Sequence, residues 1–425
     1  MRKHRILFMT YLYPTTFEKA VESSCIGGSW IEALMVVLKK DDRFVVANIL
    51  PIVEDKIMSK EIDGVTYYGV PAKTPVSILD KVKAKISYSI ESEEIVDYAK
   101  EVVDMFKPTI IQVFGSENPF GLIADRTDIP VVVHLQGFLN VWKYKWFSAL
   151  SREEQHKYTS LYNRVTLKRG TIYEYKLFEK RAEMETRVYK SCRYFLGRTA
   201  FDRRVLTALN PDAKYFHCEE MIRKEFFQNK WKDCFSDDVI NCVSIIRGTP
   251  YKGIDLLVKT AIVLKSLNIN KVKFNVIGVY EDEEFVSMVK KSIGIDYEDL
   301  GIKFIGRLYA SEIIPYLTQS DIYIHPSYIE NSPNSVCEAM ALGMPIISTN
   351  TGGLEDLIKT GYEGVLVQEG EPYSMAGAII EMSRDVDKAR EMGKNASIRA
   401  AIRHDPAKTV ENLYNIYEEI LKENE

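Results

Sequence analysis

Glu330-Asn-Ser-Pro-Asn-Ser-Val-Cys-Glu338 is the run whose reading decides the fold. Two carboxylates bracket the opening turn of a predicted helix. Ser332 is placed as its N-cap and Pro333 at the first helical position, where a missing N–H costs nothing. The backbone N–H groups of Asn334 and Ser335 then lack partners within the helix. They face out along the positive end of its dipole, an arrangement that favours a phosphate. Glu330 precedes the helix, and Glu338 lies one turn beyond Asn334 on its face. Acid, anion cradle and acid in that order suit a nucleotide sugar, with hydroxyls gripped on either side of a diphosphate.

The flanks support that placement. Asp321-Ile-Tyr-Ile-His-Pro-Ser327 reads as a short buried strand. Met340-Ala-Leu-Gly-Met-Pro345 ends the helix, with Gly343 as a left-handed cap and Pro345 just beyond. Ile346-Ile-Ser-Thr349 is the next strand, and Thr351-Gly-Gly-Leu-Glu355 is a second glycine turn into a helix. Taken alone, glutamates eight apart are common and read as a solvated helix end. Strand, glycine turn and helix in this order set the bland reading aside.

Glu330 to Glu338, followed by Gly343-Met-Pro-Ile346 and Gly352-Gly-Leu-Glu355, resembles the glutamate-x7-glutamate signature of the retaining glycosyltransferases of family 4, in particular bacterial polysaccharide-building members. The resemblance implies the GT-B fold, two Rossmann-like doubly wound α/β domains facing a cleft. A bulky aromatic is common in the family where Ser332 stands and glycine where Asn331 stands. Those positions line the family's sugar pocket, so the departures bear on sugar identity.

The 56 basic and 60 acidic residues leave a net charge of −4, which does not point to nucleic acid as a partner. Six cysteines (25, 192, 218, 234, 242 and 337) form no C-x-x-C pair and no metal spacing, so reduced thiols in a cytoplasmic protein are expected. No apolar run reaches the roughly 18 residues that span a bilayer. Ile6–Met9, after the basic start, is read as a first strand rather than the core of a signal peptide.

Strands and helices alternate twice along the chain. Strands are expected at Ile6–Thr10, Val45–Leu50, Thr109–Phe114, Val131–Leu135 and Arg193–Leu196, separated by helices such as Gly27–Lys39 and Ile95–Phe106. A second series starts near Val239, with strands ending at Ile245, Ile277, Ile305 and Ile324. This alternation predicts parallel, doubly wound sheets. The expected organisation is an acceptor-side domain over 1–215, a linker over 216–235 and a nucleotide-sugar-binding domain over 236–404. The final helix, 405–425, opens at Asp405-Pro406 and in the resembled fold crosses back to the first domain.

Ser244-Ile-Ile-Arg247-Gly-Thr-Pro-Tyr-Lys252-Gly253 puts two cations at the carboxyl end of the second domain's first strand, where open α/β sheets bind ligands. An arginine fork and a lysine point charge suit a departing diphosphate. In the resembled family this pair holds the donor diphosphate. Gly27-Gly28 after the first strand would admit a phosphate close to backbone, and the absence of G-x-G-x-x-G counts against a dinucleotide redox enzyme. The resemblance makes Gly28 a donor contact and gives His134, at the end of Val131–Leu135, a hydrogen bond to the donor sugar. Ser116-Glu117-Asn118 on the same rim is a candidate acceptor contact.

Arg198 is read either as approaching the donor phosphate or as bridging to Asp202 at a helix start. Residues 141–190 hold 12 Lys/Arg, 6 Glu and ten aromatics. They read either as a surface for anionic lipid beside a lipid-linked acceptor, at the inner face of a membrane, or as solvated helices packing their aromatics inward. Asp385-Val-Asp387 imitates a metal motif but is read as surface charge, and no metal or cofactor is expected. The expected reaction moves a hexosyl group from a UDP- or GDP-sugar to a saccharide or lipid-linked hydroxyl. Glu330 holds the sugar and Glu338 the ribose, with Ser332, Asn331, Asn334 and Ser335 around the donor. A GT-B epimerase and a non-catalytic nucleotide-sugar scaffold remain as alternatives.

Overall fold

The computed structural model describes residues 3–11, 29–72, 78–166, 170–236 and 238–425. The chain divides into two compact units, one of Met1–Lys143, Lys176–Met221 and His404–Glu425 and the other of Tyr144–Tyr175 and Ile222–Arg403.

The first unit is built on strands β1 (His4–Met9), β2 (Phe44–Ile52), β3 (Met58–Ile62), β4 (Val65–Pro71), β5 (Ile110–Phe114), β6 (Val131–His134), β7 (Tyr194–Gly197) and β8 (Lys214–His217). Their order in the sheet is β3-β4-β2-β1-β5-β6-β7-β8, parallel except for the antiparallel β3–β4 pair. Both faces are covered, which is why the central strands read as unbroken apolar runs. Ile6 and Phe8 of β1 pack with Leu413 and Tyr417 of the last helix, while Leu7 and Met9 pack with Val102 and Val103 of helix Ile95–Phe106 on the other face.

Helix Pro406–Glu423 starts as the sequence predicts. Asp405 caps it, accepting from Ala407 N at 2.9 Å and Lys408 N at 3.2 Å, with Pro406 in the first turn. Its buried residues Val410, Leu413, Tyr417 and Ile420 recur at helical spacing and belong to the first unit's core. Tyr417 donates its hydroxyl to Gln112 Oε1 at 2.5 Å, and His4 Nε2 lies 2.9 Å from Glu418 Oε1.

The second unit contains β9 (Ile240–Ile245), β10 (Val272–Ile277), β11 (Ile302–Gly306), β12 (Ile322–His325), β13 (Ile346–Thr349) and β14 (Val365–Val367), in the order β11-β10-β9-β12-β13-β14, all parallel. This is a doubly wound order with its reversal between β9 and β12. The two units are thus parallel-sheet, Rossmann-like domains.

The sequence reading erred in four places. Sequence order puts 144–175 in the first domain, yet this stretch packs within the second unit: Trp146 lies 5.9 Å from the Tyr251 ring and Asn163 donates to Glu284 at 2.8 Å. Sequence adjacency carries no information about which core an aromatic enters. The stretch 216–235 is not simply a linker, because Phe216 and His217 end strand Lys214–His217, paired with β7, and helix Lys224–Gln228 buries Phe226 in the second unit's core. The β3–β4 hairpin went unread although its turn residues Asp63 (φ 50°) and Gly64 (φ 80°) are a strong two-residue hairpin signal. The fourth error, a helix cap, belongs to the candidate site.

Within 141–190 Trp146, Phe178 and Tyr189 are buried, while Tyr144 and Tyr162 are exposed. Cys192, Cys218, Cys242 and Cys337 are buried free thiols; Cys25 lies outside the described residues. No helix among the described residues is long and apolar enough to cross a membrane.

Leu413→Ala should lower the unfolding free energy by about 2–5 kcal/mol, because Leu413 is 1% exposed at the centre of the last helix's buried stripe. Urea denaturation would measure it; a loss under about 1 kcal/mol would mean that the helix does not complete this core.

Candidate functional site

The carboxyl ends of β9 and β12 lie side by side at the sheet's reversal point, the place where open α/β sheets take ligands. From β9 the chain passes through Arg247 to a short turn of 3-10 helix, Pro250–Lys252. From β12 it passes through His325 and Ser327 to Glu330. The two exits are locked together. Tyr328 N donates to Tyr251 O at 2.9 Å, and Ser244 Oγ donates to Ile324 O at 2.7 Å. Thr349 and Thr351 hydroxyls hold the carbonyls of Ser327 and Tyr328 at 2.5 and 2.8 Å. A β-carbon on Gly253 would fall 2.0 Å from Pro326 O, and one on Gly352 1.6 Å from Glu330 O; both glycines have positive φ, 77° and 56°. Only glycine permits either approach.

Glu330 is 5% exposed and its Oε1 is gripped three ways: by Lys252 Nζ at 2.5 Å, Ser327 Oγ at 2.9 Å and His325 Nε2 at 3.2 Å. Burial works to raise its pKa, but the charge of Lys252 and the hydrogen bonds of His325 and Lys252 outweigh it and bring the carboxyl down to about 2. Glu330 is therefore a fixed carboxylate. His325 and Ser327 were missed from sequence; their only signal was a place at the end of a buried strand.

The following helix runs Asn334–Leu342. Pro333, not Ser332, is its N-cap, with ψ at 122° and no side-chain cap, so the expected placement was one residue early. Proline's fixed φ fits either position, and its extended ψ puts it outside the helix. Its carbonyl accepts from Val336 and Cys337 at 3.0 and 3.2 Å. With no side-chain cap, the N–H groups of Asn334 and Ser335 remain without helical partners, as expected. Asn334 Oδ1 is buried without a hydrogen-bond partner, and Asn331 and Ser332 are buried beside it in sequence. Gly343 caps the far end with φ 82°.

Glu338 projects from that helix and meets Arg223, whose Nη2 and Nε lie 2.5 and 3.1 Å from Glu338 Oε1. Burial pushes the Glu338 carboxyl up, and Arg223 offsets only part of that. Arg247 is exposed and makes no hydrogen bond or ion pair among the described residues. Of the predicted cations, then, Lys252 joins Glu330 directly and Arg247 stands free at the same strand end.

His134 and Arg198 belong to the first unit. His134 is buried and held neutral, its pKa well below the usual value through desolvation and the nearby Arg198 charge. Gln112 Nε2 lies 3.4 Å from its Nδ1, while Nε2 is buried without a partner. Arg198 forms a buried ion pair with Glu220 at 2.7 Å and donates to Leu135 O at 2.8 Å. Asp202 completes a capping box with Thr199 and accepts from the Arg198 backbone N–H at 2.7 Å. A cap needs a short acid at the third helical position, and that is the place Asp202 holds. Ser116 donates to Glu185 at 2.9 Å and Asn118 caps the turn at Phe120, whereas Glu117 is pushed up to about 7 chiefly by burial and keeps an unpartnered Oε2. Gly28 lies outside the described residues. Asp385 and Asp387 are engaged by Lys388 N at 3.1 Å and Arg390 at 2.6 Å.

Residues 227–399 match the family model described as Glycosyl transferases group 1. Over its whole length the chain superposes on sucrose-phosphate synthase of Thermosynechococcus elongatus, with a TM-score of 0.71, 15% identity and coverage of 99% of this chain and 100% of that one. Anabaena HepE in complex with UDP and glucose gives 0.62 at 16% identity, covering 98% and 99%. The fold is GT-B. In sequence the chain is 28% identical over 199 residues to an uncharacterised glycosyltransferase of Methanocaldococcus jannaschii, 47% of each chain. It is 29% identical over 187 residues to the amylovoran biosynthesis glycosyltransferase AmsK of Erwinia amylovora, 42% of this chain and 44% of that one. The matched stretch thus spans under half the length of these relatives.

Two outcomes follow. Gly352→Ala should destabilise the protein by at least about 2 kcal/mol, since a β-carbon there must displace the Glu330 carbonyl; thermal unfolding showing no loss would contradict the packing. Glu330 has a lowered folded pKa, so its contribution is present above the ordinary 4.5 and fades as pH falls toward about 2. Relative to Glu330→Gln, the wild type should lose on the order of 3 kcal/mol of stability across that window. Parallel urea titrations of the two proteins test it, and identical pH slopes would refute the ion pair.

Proposed function

We propose that the protein is a retaining glycosyltransferase that moves a hexosyl group from a UDP- or GDP-sugar to a hydroxyl of a saccharide or lipid-linked acceptor. The observation that carries this reading is the Lys252–Glu330–His325 cluster at the β9/β12 reversal, beside an uncapped helix N-terminus. A group-transfer enzyme whose leaving group is a diphosphate needs positive charge where the C1–O bond breaks. Electrostatic stabilisation of that departure is the main catalytic task. Lys252, the free Arg247 and the N–H groups of Asn334 and Ser335 supply it. The matching group 1 family segment and the UDP complex of the structurally similar HepE support a nucleotide-diphosphate donor.

Glu330 acts as a hydrogen-bond acceptor for sugar hydroxyls rather than as a nucleophile. Its Oε1 is already saturated by three donors, and a carboxylate so strongly stabilised is a poor attacking group. The bond from C1 to the acceptor oxygen forms as the C1–phosphate bond breaks. The electron pair leaves with the diphosphate, and a donor phosphate oxygen takes the acceptor proton. Asn331 and Ser332, buried beside Glu330 in sequence, adjoin the sugar. The reaction belongs to polysaccharide or glycoconjugate synthesis on the cytoplasmic side, at the membrane face where the acceptor is lipid-linked. The relation to AmsK supports the polysaccharide part.

Incubation with UDP- and GDP-sugars, followed by assays for free nucleotide and NMR of the product anomer, tests the reading. Transfer with an unchanged anomer is expected; binding without turnover, or conversion of the donor with no acceptor, would replace it by a scaffold or an epimerase. Arg247→Ala should cut turnover about 100-fold with circular dichroism and melting temperature unchanged, because the side chain is exposed and unpaired. Unchanged turnover would remove Arg247 from the site.

A further inference from the structure

Arg223 sits four residues ahead of the segment that matches the group 1 family, at the N-cap of the five-residue helix Lys224–Gln228. Its backbone is anchored by Phe226, fully buried in a core shared with Val336, Ala339 and Met340 of the Glu338 helix. The guanidinium lies 4.8 Å from the Phe226 ring centroid and is 18% exposed. Both contacting nitrogens, Nη2 and Nε, reach the same oxygen, Glu338 Oε1. Among the described residues Glu338 Oε2 accepts no hydrogen bond, and it is not sealed from solvent.

We infer that Arg223 is a positioning residue for the nucleotide: it fixes one oxygen of Glu338 and thereby presents the other, with two lone pairs, to the cis-diol of a ribose. The inference rests on the donor-site reading above and deepens it. A buried glutamate on a helix has rotamers to choose from, and an arginine touching a single oxygen from a rigid anchor selects one of them. The arginine also favours the carboxylate form, because burial favours the protonated acid and Arg223 is the charge acting against it. The neighbouring titratable group is the Tyr323 phenol of β12, raised by burial and neutral at physiological pH. A protonated Glu338 would lose acceptor capacity toward the diol.

Calorimetric titration of UDP, GDP and their 2′,3′-dideoxy counterparts, at several pH values, tests the role. Arg223→Gln should weaken the preferred ribonucleotide at least about tenfold, as expected for a charged hydrogen bond, with the deficit growing toward acid pH. Affinity for the dideoxy compound should be unchanged. Arg223→Lys should restore part of the loss, and Arg223→Gln should add nothing in a Glu338→Gln background. Equal losses for ribo- and dideoxynucleotides, or additive losses in the double variant, would overturn the positioning role while leaving the donor site standing. If Arg223→Gln does not fold, Arg223→Lys and Glu338→Gln carry the same comparison. A wild-type protein that binds neither UDP nor GDP would overturn the donor site and this inference together.

Discussion

A buried carboxylate that must stay ionised is the constraint on which the second domain's loops depend. Glu330 is desolvated almost completely, a state that favours the neutral acid unless opposite charge and hydrogen bonds are close. Lys252, Ser327 and His325 meet that requirement from two strand exits and the loop itself. Their meeting fixes much else. The exits of β9 and β12 must run side by side, the Glu330 backbone must press on Gly352, and Thr349 and Thr351 must hold the intervening carbonyls. Each bond alone contributes about 1 kcal/mol. Together they leave the loop one conformation, which is what a binding site built on a loop requires.

This explains which parts were legible in sequence. The Glu330–Glu338 run, Gly343 and Gly352-Gly353 were readable because each imposes a local backbone geometry: a helix start, a left-handed cap, a turn too tight for a β-carbon. The parallel strands were readable because burial on both faces produces unbroken apolar runs. What escaped was nonlocal. Nothing in 144–175 states that Trp146 lies against Tyr251 rather than against residues nearer in sequence. Nothing in the spacing of Arg198 and Asp202 states that the arginine goes to Glu220 while the aspartate caps a helix. The Asp63-Gly64 hairpin is a different kind of miss: its signal was local and simply went unused.

The first domain repeats the logic of the second with different chemistry. Its sheet also ends in polar residues at the carboxyl edge, where β5 and β6 run in register from Phe114 to His134. There burial is not fully compensated. Glu117 is raised to about 7 and His134 is neutral, and each keeps an atom without a partner. Glu185, by contrast, lies in the same neighbourhood and is satisfied by Ser116, Leu139 and Asn140. Native interiors rarely leave polar atoms unpaired, and such atoms collect where a ligand supplies the missing partner. Neutral groups suit a sugar's hydroxyls, as charged ones suit a diphosphate.

The same division appears within the nine residues from Glu330 to Glu338. Both glutamates are buried, yet one is driven to about 2 and the other is raised. The difference is in their partners. Three donors converge on one oxygen of Glu330, whereas Arg223 alone faces Glu338. A residue type repeated at a fixed spacing thus takes two electrostatic roles, because environment rather than identity sets the proton affinity. Glu330 tolerates a neighbouring anion since its charge is already neutralised by Lys252. Glu338, less compensated, gains most from a ligand that donates hydrogen bonds. On that ground the order of the motif, with the lysine-paired acid before the uncapped helix start and the arginine-held acid after it, matches a donor whose sugar and ribose lie on opposite sides of its diphosphate.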